Sequence, residues 1–428
     1  MRYLKISFIC LIVFCAMSLV SCGFLAEEVL NDLLFGDELQ DSNLALGGED
    51  DSALDFYDHE CDFGEWTVVE EAACDFIGLE ERICKICEDI EERDIPSLPH
   101  TVVIDEAVEE TDSKPGKTEG SHCSVCGTII KRQEYIYFDD YSNPAKYSGD
   151  YAYEYLLSNY KNGDDMQAFY RFLDEEIVRF HSSSEDAKTK IVSETTLYYV
   201  AELDFSVFGL SSEEAITVWN AYRFDHPLYY WMSNLISYQS KKLTVTVYED
   251  YADGETRLEY NSAIYETVEL YMDGIGGRGD EYKIVRAFHD GIILNADYAY
   301  EEDGVTPEDA AYAHNVLGVL LEGEGVCESY TKAFQLLLNY CGINNVYVTG
   351  YAGEAHAWNL VEMSDGEWYW FDLTWDDTPN LEDGVRYTYF CVIDDAFLTD
   401  HVLYNPVDYG IEFVYAIPER STEYYEYE

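Results

Sequence analysis

Gly323-Glu-Gly-Val-Cys327, His356-Ala-Trp-Asn359 and Trp368-Tyr-Trp-Phe-Asp372-Leu-Thr-Trp-Asp-Asp377 follow one another in this chain. A thiol, an imidazole and a carboxylate in that order are the parts of an activated cysteine nucleophile. Cys327 follows two glycines and opens an apolar-periodic run, Tyr330, Phe334, Leu337 and Leu338, which predicts an amphipathic helix ending near Gly342. At a helix N-terminus the unpaired amide N–H groups and the positive dipole end favour thiolate, the reacting form.

The segment from Ala357 to Met363 predicts a strand, Ser364-Asp-Gly-Glu367 a turn, and Trp368–Leu373 the returning strand. His356, Trp358, Leu360 and Glu362 then share one face; Trp368, Trp370 and Asp372 share one face of the partner strand. A five-residue loop, Met363 to Glu367, sets Asp372 opposite Trp358 and diagonal to His356. The carboxylate then holds one ring nitrogen while the other faces Cys327. A two- or four-residue loop without a bulge separates them.

These residues resemble the transglutaminase-like superfamily, a papain-type cysteine fold. The matching pieces are Gly325-Val-Cys-Glu328 with Tyr330 and Phe334, Cys341-Gly-Ile343, His356-Ala-Trp-Asn359 and Asp372-Leu-Thr-Trp-Asp-Asp377. Upstream, Phe288-His-Asp290 with Ile292 and Tyr298 resembles the helix before the nucleophile. Downstream, Tyr389-Phe390 and Leu398-Thr-Asp-His401 resemble the closing segment of bacterial members. The likeness covers roughly residues 263–405, with several motifs agreeing in order and spacing. It implies an α+β core with the nucleophile helix packed on an antiparallel sheet. Cys327 is then the nucleophile, His356 the general base and acid, and Asp372 the orienting group. Ser329 stands where bacterial members often have Gly. No side chain is assigned as oxyanion donor, so the Cys327 N–H is the default. Cys341, Cys391, His289 and the tryptophans read as packing or pocket wall.

Arg2 and Lys5 precede the apolar run Ile6 to Val20, and Leu19-Val-Ser-Cys22 matches a bacterial lipobox. The run is too short for a permanent transmembrane helix. Residues 1–21 are therefore expected to be a lipoprotein signal, with lipid on Cys22 tethering an exported protein to the outer face of the cell membrane. An ordinary secretory signal cut nearby is the alternative. With 25 basic and 86 acidic residues the formal charge is −61. That field repels nucleic acid and anionic lipid surfaces. The 47% apolar content and 39 tyrosines argue against wholesale disorder.

Residues 22–55 read as an acidic tether with a short helix near 26–34. Residues 56–136 form a Cys-rich module of two similar halves, resembling zinc-ribbon repeats: Cys84-x-x-Cys87 recurs as Cys123-x-x-Cys126, and Thr67-Val-Val as Thr101-Val-Val. Cys74 precedes the first pair and His100 follows it. Two ligand sets for a structural zinc present themselves: Cys74, Cys84, Cys87 and His100, or Cys84, Cys87, Cys123 and Cys126. The first is favoured because repeats tend to close their own sites. Disulfides are the alternative outside the cell, and Cys61 is left over. Residues 137–262 read as a mostly helical extension packed on the catalytic domain, 263–428, with Ser211-Ser212 as a helix start and Leu243–Tyr248 as a strand. His226 and Trp231 read as packing residues near the cleft.

The expected function is acyl transfer from an amide of a protein or peptide substrate, through a thioester, to an amine or to water. No calcium motif accompanies the site, so no cofactor is expected for catalysis. A peptidase acting on cell-wall peptides and a non-catalytic surface-binding protein are the alternatives.

Overall fold

The computed structural model describes residues 60–109, 111, 116–136, 140–192, 194–235, 237–275, 280–377, 385–404 and 417–427. The expected signal, Cys22 and the tether lie outside them. Among the described residues no helix is long and apolar enough to cross a membrane. Residues 60–65 with 82–90 form one compact unit, and the remaining described residues form the other.

In the smaller unit Phe63 bridges Cys84 antiparallel, and the Gly64 N–H donates to the Ile83 carbonyl. These bonds bring Cys61 to the Cys84–Cys87 turn.

The larger unit holds six long helices. They are α1 (Tyr151–Asn159), α2 (Gly163–His181), α3 (Ser212–Asp225), α4 (Gly254–Gly274), α5 (Glu281–Asn295) and α6 (Cys327–Tyr340). Ser211 caps α3: its hydroxyl accepts the Glu214 N–H, and the Glu214 carboxylate accepts the Ser211 N–H. Asp253 and Asp280 cap α4 and α5 in the same way, without the reciprocal bond.

The central sheet has five strands, β1 (Asn345–Tyr351), β2 (Ala355–Glu362), β3 (Trp368–Phe371), β4 (Phe390–Val392) and β5 (Val402–Leu403). Their order is β4-β3-β2-β1-β5, and each neighbouring pair is antiparallel. Glu362 pairs with Trp368, so the hairpin loop is Met363–Glu367, the five-residue length expected. Helix α6 packs across β1 and β2 through Tyr330, Ala333, Phe334 and Leu337, all fully buried. A side chain on Gly350 of β1 would bring its Cβ to 2.3 Å from the Trp358 ring and from the Val402 carbonyl oxygen. Glycine there lets three strands close over the indole.

Two expectations about organisation need correcting. The boundary at 262/263 falls inside α4, and a single hydrophobic cluster runs from Tyr135 to Phe397. Extension and catalytic segment therefore share one core. The extension is also less helical than expected. Beside the strand Lys242–Val247 it contains Lys188–Val192, Thr195–Asp204 and Ser237–Gln239, joined in one antiparallel four-stranded sheet. Cross-strand pairing satisfies these backbones where the local periodicity was ambiguous.

Candidate active site

The thiol sits at the first residue of α6. Gly325 makes the entry possible: a Cβ there would lie 2.5 Å from the Ser329 Cβ. Ser329 is itself buried. Its hydroxyl donates to the Asn315 carbonyl at 2.5 Å and accepts the Val319 N–H at 2.9 Å. It thus ties the turn before Cys327 to the helix that carries it. Cys327 is 9% exposed and packs with Tyr347, Ala357 and Phe224.

His356 lies on β2 and Asp372 one residue beyond β3, both buried. The imidazole Nε2 is 2.8 Å from Asp372 Oδ2. The Cys327 side chain is the ring's other polar partner. Burial works against a charged imidazole here. The Asp372 charge and hydrogen bond, joined by Cys327, overcome it and push His356 up to about 10. Burial likewise opposes the carboxylate, and His356 and His401 override it, holding Asp372 at about 2. The arrangement holds a charged imidazolium beside the Cys327 side chain. Asp372 also accepts the Trp375 N–H through Oδ1 at 3.2 Å, so it caps the short helix Leu373–Asp376 and is fixed from both sides.

His401 had no role assigned from sequence, yet its Nε2 lies 3.0 Å from Asp372 Oδ2 and its Nδ1 2.7 Å from Asp400 Oδ1. It is 1% exposed and stacks on Phe397 at 4.0 Å between centroids. The Leu398-Thr-Asp-His401 motif was the available signal, but a histidine so far along the chain shows no link to β3 until the sheet folds. His289 is a structural clamp, as expected for a packing residue. It bridges Asp290 at 3.0 Å and the buried Asp376 at 3.3 Å, and Asp376 in turn accepts the Tyr389 N–H. Cys341 and Cys391 are buried, in agreement with core packing.

A narrow cleft with about 40 Å³ of free space is lined by Phe224 and Tyr347, the rings that also pack against Cys327. Glu328 lies in it, its carboxylate taken up by His314 at 2.7 Å, Lys332 at 3.3 Å and the Tyr347 hydroxyl at 3.2 Å. His226 lines the same cleft and is buried against Ser148 and Tyr170. Trp231 donates to His181 inside the core, and its neighbours Tyr230 and Met232 line the cleft in its place.

The Cys-rich residues group differently from either expected ligand set. Cys74, His100, Cys123 and Cys126 come together, and Cys61 joins Cys84 and Cys87, each group within 4.8 Å. The expectation that one repeat closes its own site fails. The strand pairing of Val102–Asp105 with Gly120–Cys123 carries His100 to the second Cys pair, and the Phe63–Cys84 bridge carries Cys61 to the first. No disulfide joins the described cysteines. The separations fit a metal. Cys74 to Cys123 and Cys61 to Cys87 are each 3.8 Å, and Cys126 to His100 Nδ1 is 3.5 Å. Tetrahedral zinc with bonds of about 2.3 Å to sulfur sets ligand atoms about 3.8 Å apart. The Cys126 backbone N–H, assisted by those of Val125 and by His100, holds the Cys123 thiol down to about 5.

Residues 270–373 match the family model of the transglutaminase-like superfamily. No curated protein matches the chain. Among solved structures, a candidate cysteine protease from Cytophaga hutchinsonii is 24% identical over 29% of this chain and 40% of that one, with a TM-score of 0.22. A TGase is 17% identical over 35% and 45%, with a TM-score of 0.24. The periplasmic domain of TgpA from Pseudomonas aeruginosa, bound to ethylmercury, is 17% identical over 32% and 56%, with a TM-score of 0.22. The likeness thus spans 40% to 56% of those three structures. The family match encloses Cys327, His356 and Asp372, so this part of the chain is similar to the transglutaminase-like superfamily.

Proposed function

We propose that this protein is a cysteine enzyme acting on amide bonds of protein or peptide substrates, with Cys327, His356 and Asp372 as its catalytic triad. The observation that carries the reading is one imidazole with Asp372 at 2.8 Å on one nitrogen and the Cys327 thiol as its other partner. The thiolate adds to the amide carbonyl carbon and the carbonyl electron pair moves to oxygen. The tetrahedral species collapses with cleavage of the C–N bond, and His356 gives its proton to the departing amine. A thioester remains. Water or a second amine, deprotonated by the now neutral His356, then releases the acyl group and restores the thiol. Asp372 holds the ring's orientation and stays ionised throughout.

Two further parts belong to this proposal. The set Cys74, His100, Cys123 and Cys126 holds a structural zinc, supported by the ligand separations; four protein ligands leave no open position for chemistry. Lipid on Cys22 anchors the exported protein at the outer membrane face, a reading supported by the Leu19-Val-Ser-Cys22 motif.

Iodoacetamide should label Cys327 selectively near neutral pH, and Cys327→Ser should abolish both that label and turnover. Peptide amides offered with and without a primary amine separate transfer from hydrolysis. Labelling spread evenly over all thiols would sink the enzymatic reading.

A further inference from the structure

The two Cys-x-x-Cys segments are built alike. Residues 61 and 100, 84 and 123, and 87 and 126 share one displacement of 39 positions, and the backbone bonds around them repeat at that displacement. The Lys85 N–H donates to the Asp62 carbonyl at 2.9 Å, as the Ser124 N–H does to the Thr101 carbonyl at 2.9 Å. The Cys84 N–H donates to the Asp89 carbonyl and the Cys123 N–H to the Thr128 carbonyl, each at 2.8 Å. Each turn closes through a residue at positive φ, Glu88 at 63° and Gly127 at 80°, whose N–H returns to the carbonyl of the first cysteine. Glutamate is disfavoured in that left-handed region, so the first half holds the turn against its local preference.

Each turn thus brings two sulfurs to the same third position, Cys61 in the first half and His100 in the second. In the second half Cys74 adds a fourth donor. The positions displaced by 39 from Cys74 are Phe35 and Ser113, neither of them a soft metal ligand. Among the described residues no further histidine, cysteine or carboxylate joins Cys61, Cys84 and Cys87. Their sulfurs lie within 4.8 Å of one another, with Cys61 to Cys87 at 3.8 Å. That is the separation of about 3.8 Å set by bonds of about 2.3 Å to a tetrahedral zinc. The Ile86 N–H points at the Cys84 sulfur at 3.5 Å, a bond that favours thiolate and steadies a metal-bound sulfur. Cys84 is buried, whereas Cys61 and Cys87 are exposed, so the trio borders solvent.

We propose that Cys61, Cys84 and Cys87 form a second zinc site whose fourth coordination position is taken by a small donor from solution, water or a thiol. It shares the turn geometry with the zinc proposed above but none of the ligands Cys74, His100, Cys123 and Cys126, so the two stand or fall separately. Binding releases three thiol protons to solvent. The zinc ion and three thiolates then carry one net negative charge, as three thiolates with a neutral imidazole do in the other set. The sites differ in closure. Four protein ligands enclose the ion, while three leave a face where an incoming donor bonds directly. A thiol arriving there loses its proton as its sulfur replaces the bound water. The zinc of the second half is therefore the retained one, and that of the first half the exchangeable one.

The test is metal content and exchange in the full chain, purified with a phosphine reductant. Wild type should hold about two equivalents of zinc, and Cys61→Ser and Cys123→Ser should each lose one. Zinc should leave wild type for the chelator pyridylazoresorcinol in a fast and a slow phase. Cys61→Ser should lack the fast phase and Cys123→Ser the slow one. Cobalt(II) reads the open position: mercaptoethanol should shift the visible absorption of cobalt-loaded Cys123→Ser and leave that of cobalt-loaded Cys61→Ser unchanged. A spectrum that mercaptoethanol alters in neither variant overturns the proposal. Two equivalents released from wild type in a single phase overturn it without any variant. So does a Cys61–Cys87 disulfide, found by mass in place of metal. A single equivalent in wild type that Cys61→Ser retains overturns it and spares the four-ligand zinc. A single equivalent that Cys61→Ser loses and Cys123→Ser retains supports it and removes the four-ligand zinc, a different failure.

Discussion

Asp372 Oδ2 stands 2.8 Å from Nε2 of His356 and 3.0 Å from Nε2 of His401, so a single carboxylate oxygen serves two buried imidazoles. His401 reaches on to Asp400, whose other oxygen accepts the Tyr389 hydroxyl at 2.7 Å. The line Asp400–His401–Asp372–His356 ends at the thiol. It fixes the carboxylate's rotation without occupying the face that His356 needs.

Removing the second imidazole should therefore disturb orientation more than binding. His401→Asn is expected to lower kcat about tenfold or more with KM little changed, given the worth of a hydrogen bond to a charged group. Steady-state kinetics with a peptide amide read the split. An unchanged kcat would mean that Asp372 is held sufficiently by Trp375 alone.

Asp372 dominates the upward shift of His356, so its charge sets the pH range of the ion pair. In Asp372→Asn the imidazolium should lose its proton well below the wild-type value of about 10. The descending limb of kcat/KM then moves to lower pH, and alkylation of Cys327 at pH 6 falls because thiolate loses its counter-ion. Stability follows the same sign. A raised His pKa gives stabilisation that is complete below about 6.5 and drains away as pH rises through about 10. The variant should lose stability chiefly at neutral and acid pH, read by urea unfolding at pH 6 and pH 10.

Ser329 is predicted to be structural. Ser329→Ala leaves the Val319 N–H without its buried acceptor and the Asn315 carbonyl without its donor, a cost of about 1–3 kcal/mol. Chemical denaturation measures it. Ser329→Gly should cost at least as much, since it adds backbone freedom inside α6.

Metal analysis of the purified protein should find zinc, and Cys123→Ser should remove one equivalent while sparing iodoacetamide labelling of Cys327. Disulfide bonds among Cys74, Cys123 and Cys126, seen by mass under non-reducing conditions with no metal, would replace the zinc reading.

Much of the central core is legible in the chain. Ser364-Asp-Gly-Glu367 fixes the loop length, the loop length fixes the register, and the register puts Asp372 on the His356 side. The glycines before Cys327 and the period of Tyr330, Phe334 and Leu337 announce α6. Other features depend on contacts between distant segments. Thr195–Asp204 carries alternation blurred by Tyr198-Tyr199 and by helix formers at Ala201-Glu202-Leu203, and pairing with Lys242–Val247 on one side and Lys188–Val192 on the other decides it. Cys84-x-x-Cys87 and Cys123-x-x-Cys126 show knuckles but not which remote residues complete them. His401 is a single side chain delivered by a turn, with no periodicity to mark it.

Asn339 of α6 donates to the Tyr147 carbonyl at 3.0 Å, Gln335 donates to the Phe224 carbonyl at 2.9 Å, and Tyr340 stacks between Tyr141 and Tyr147. The back of α6 is thus roofed by residues outside the family match, Tyr141 and Tyr147 preceding it by over a hundred positions. A fragment trimmed to residues 263–428 would bare an aromatic, sticky flank and lose the wall behind the thiol. Expression meant to yield a soluble, competent piece should begin near residue 140 or earlier.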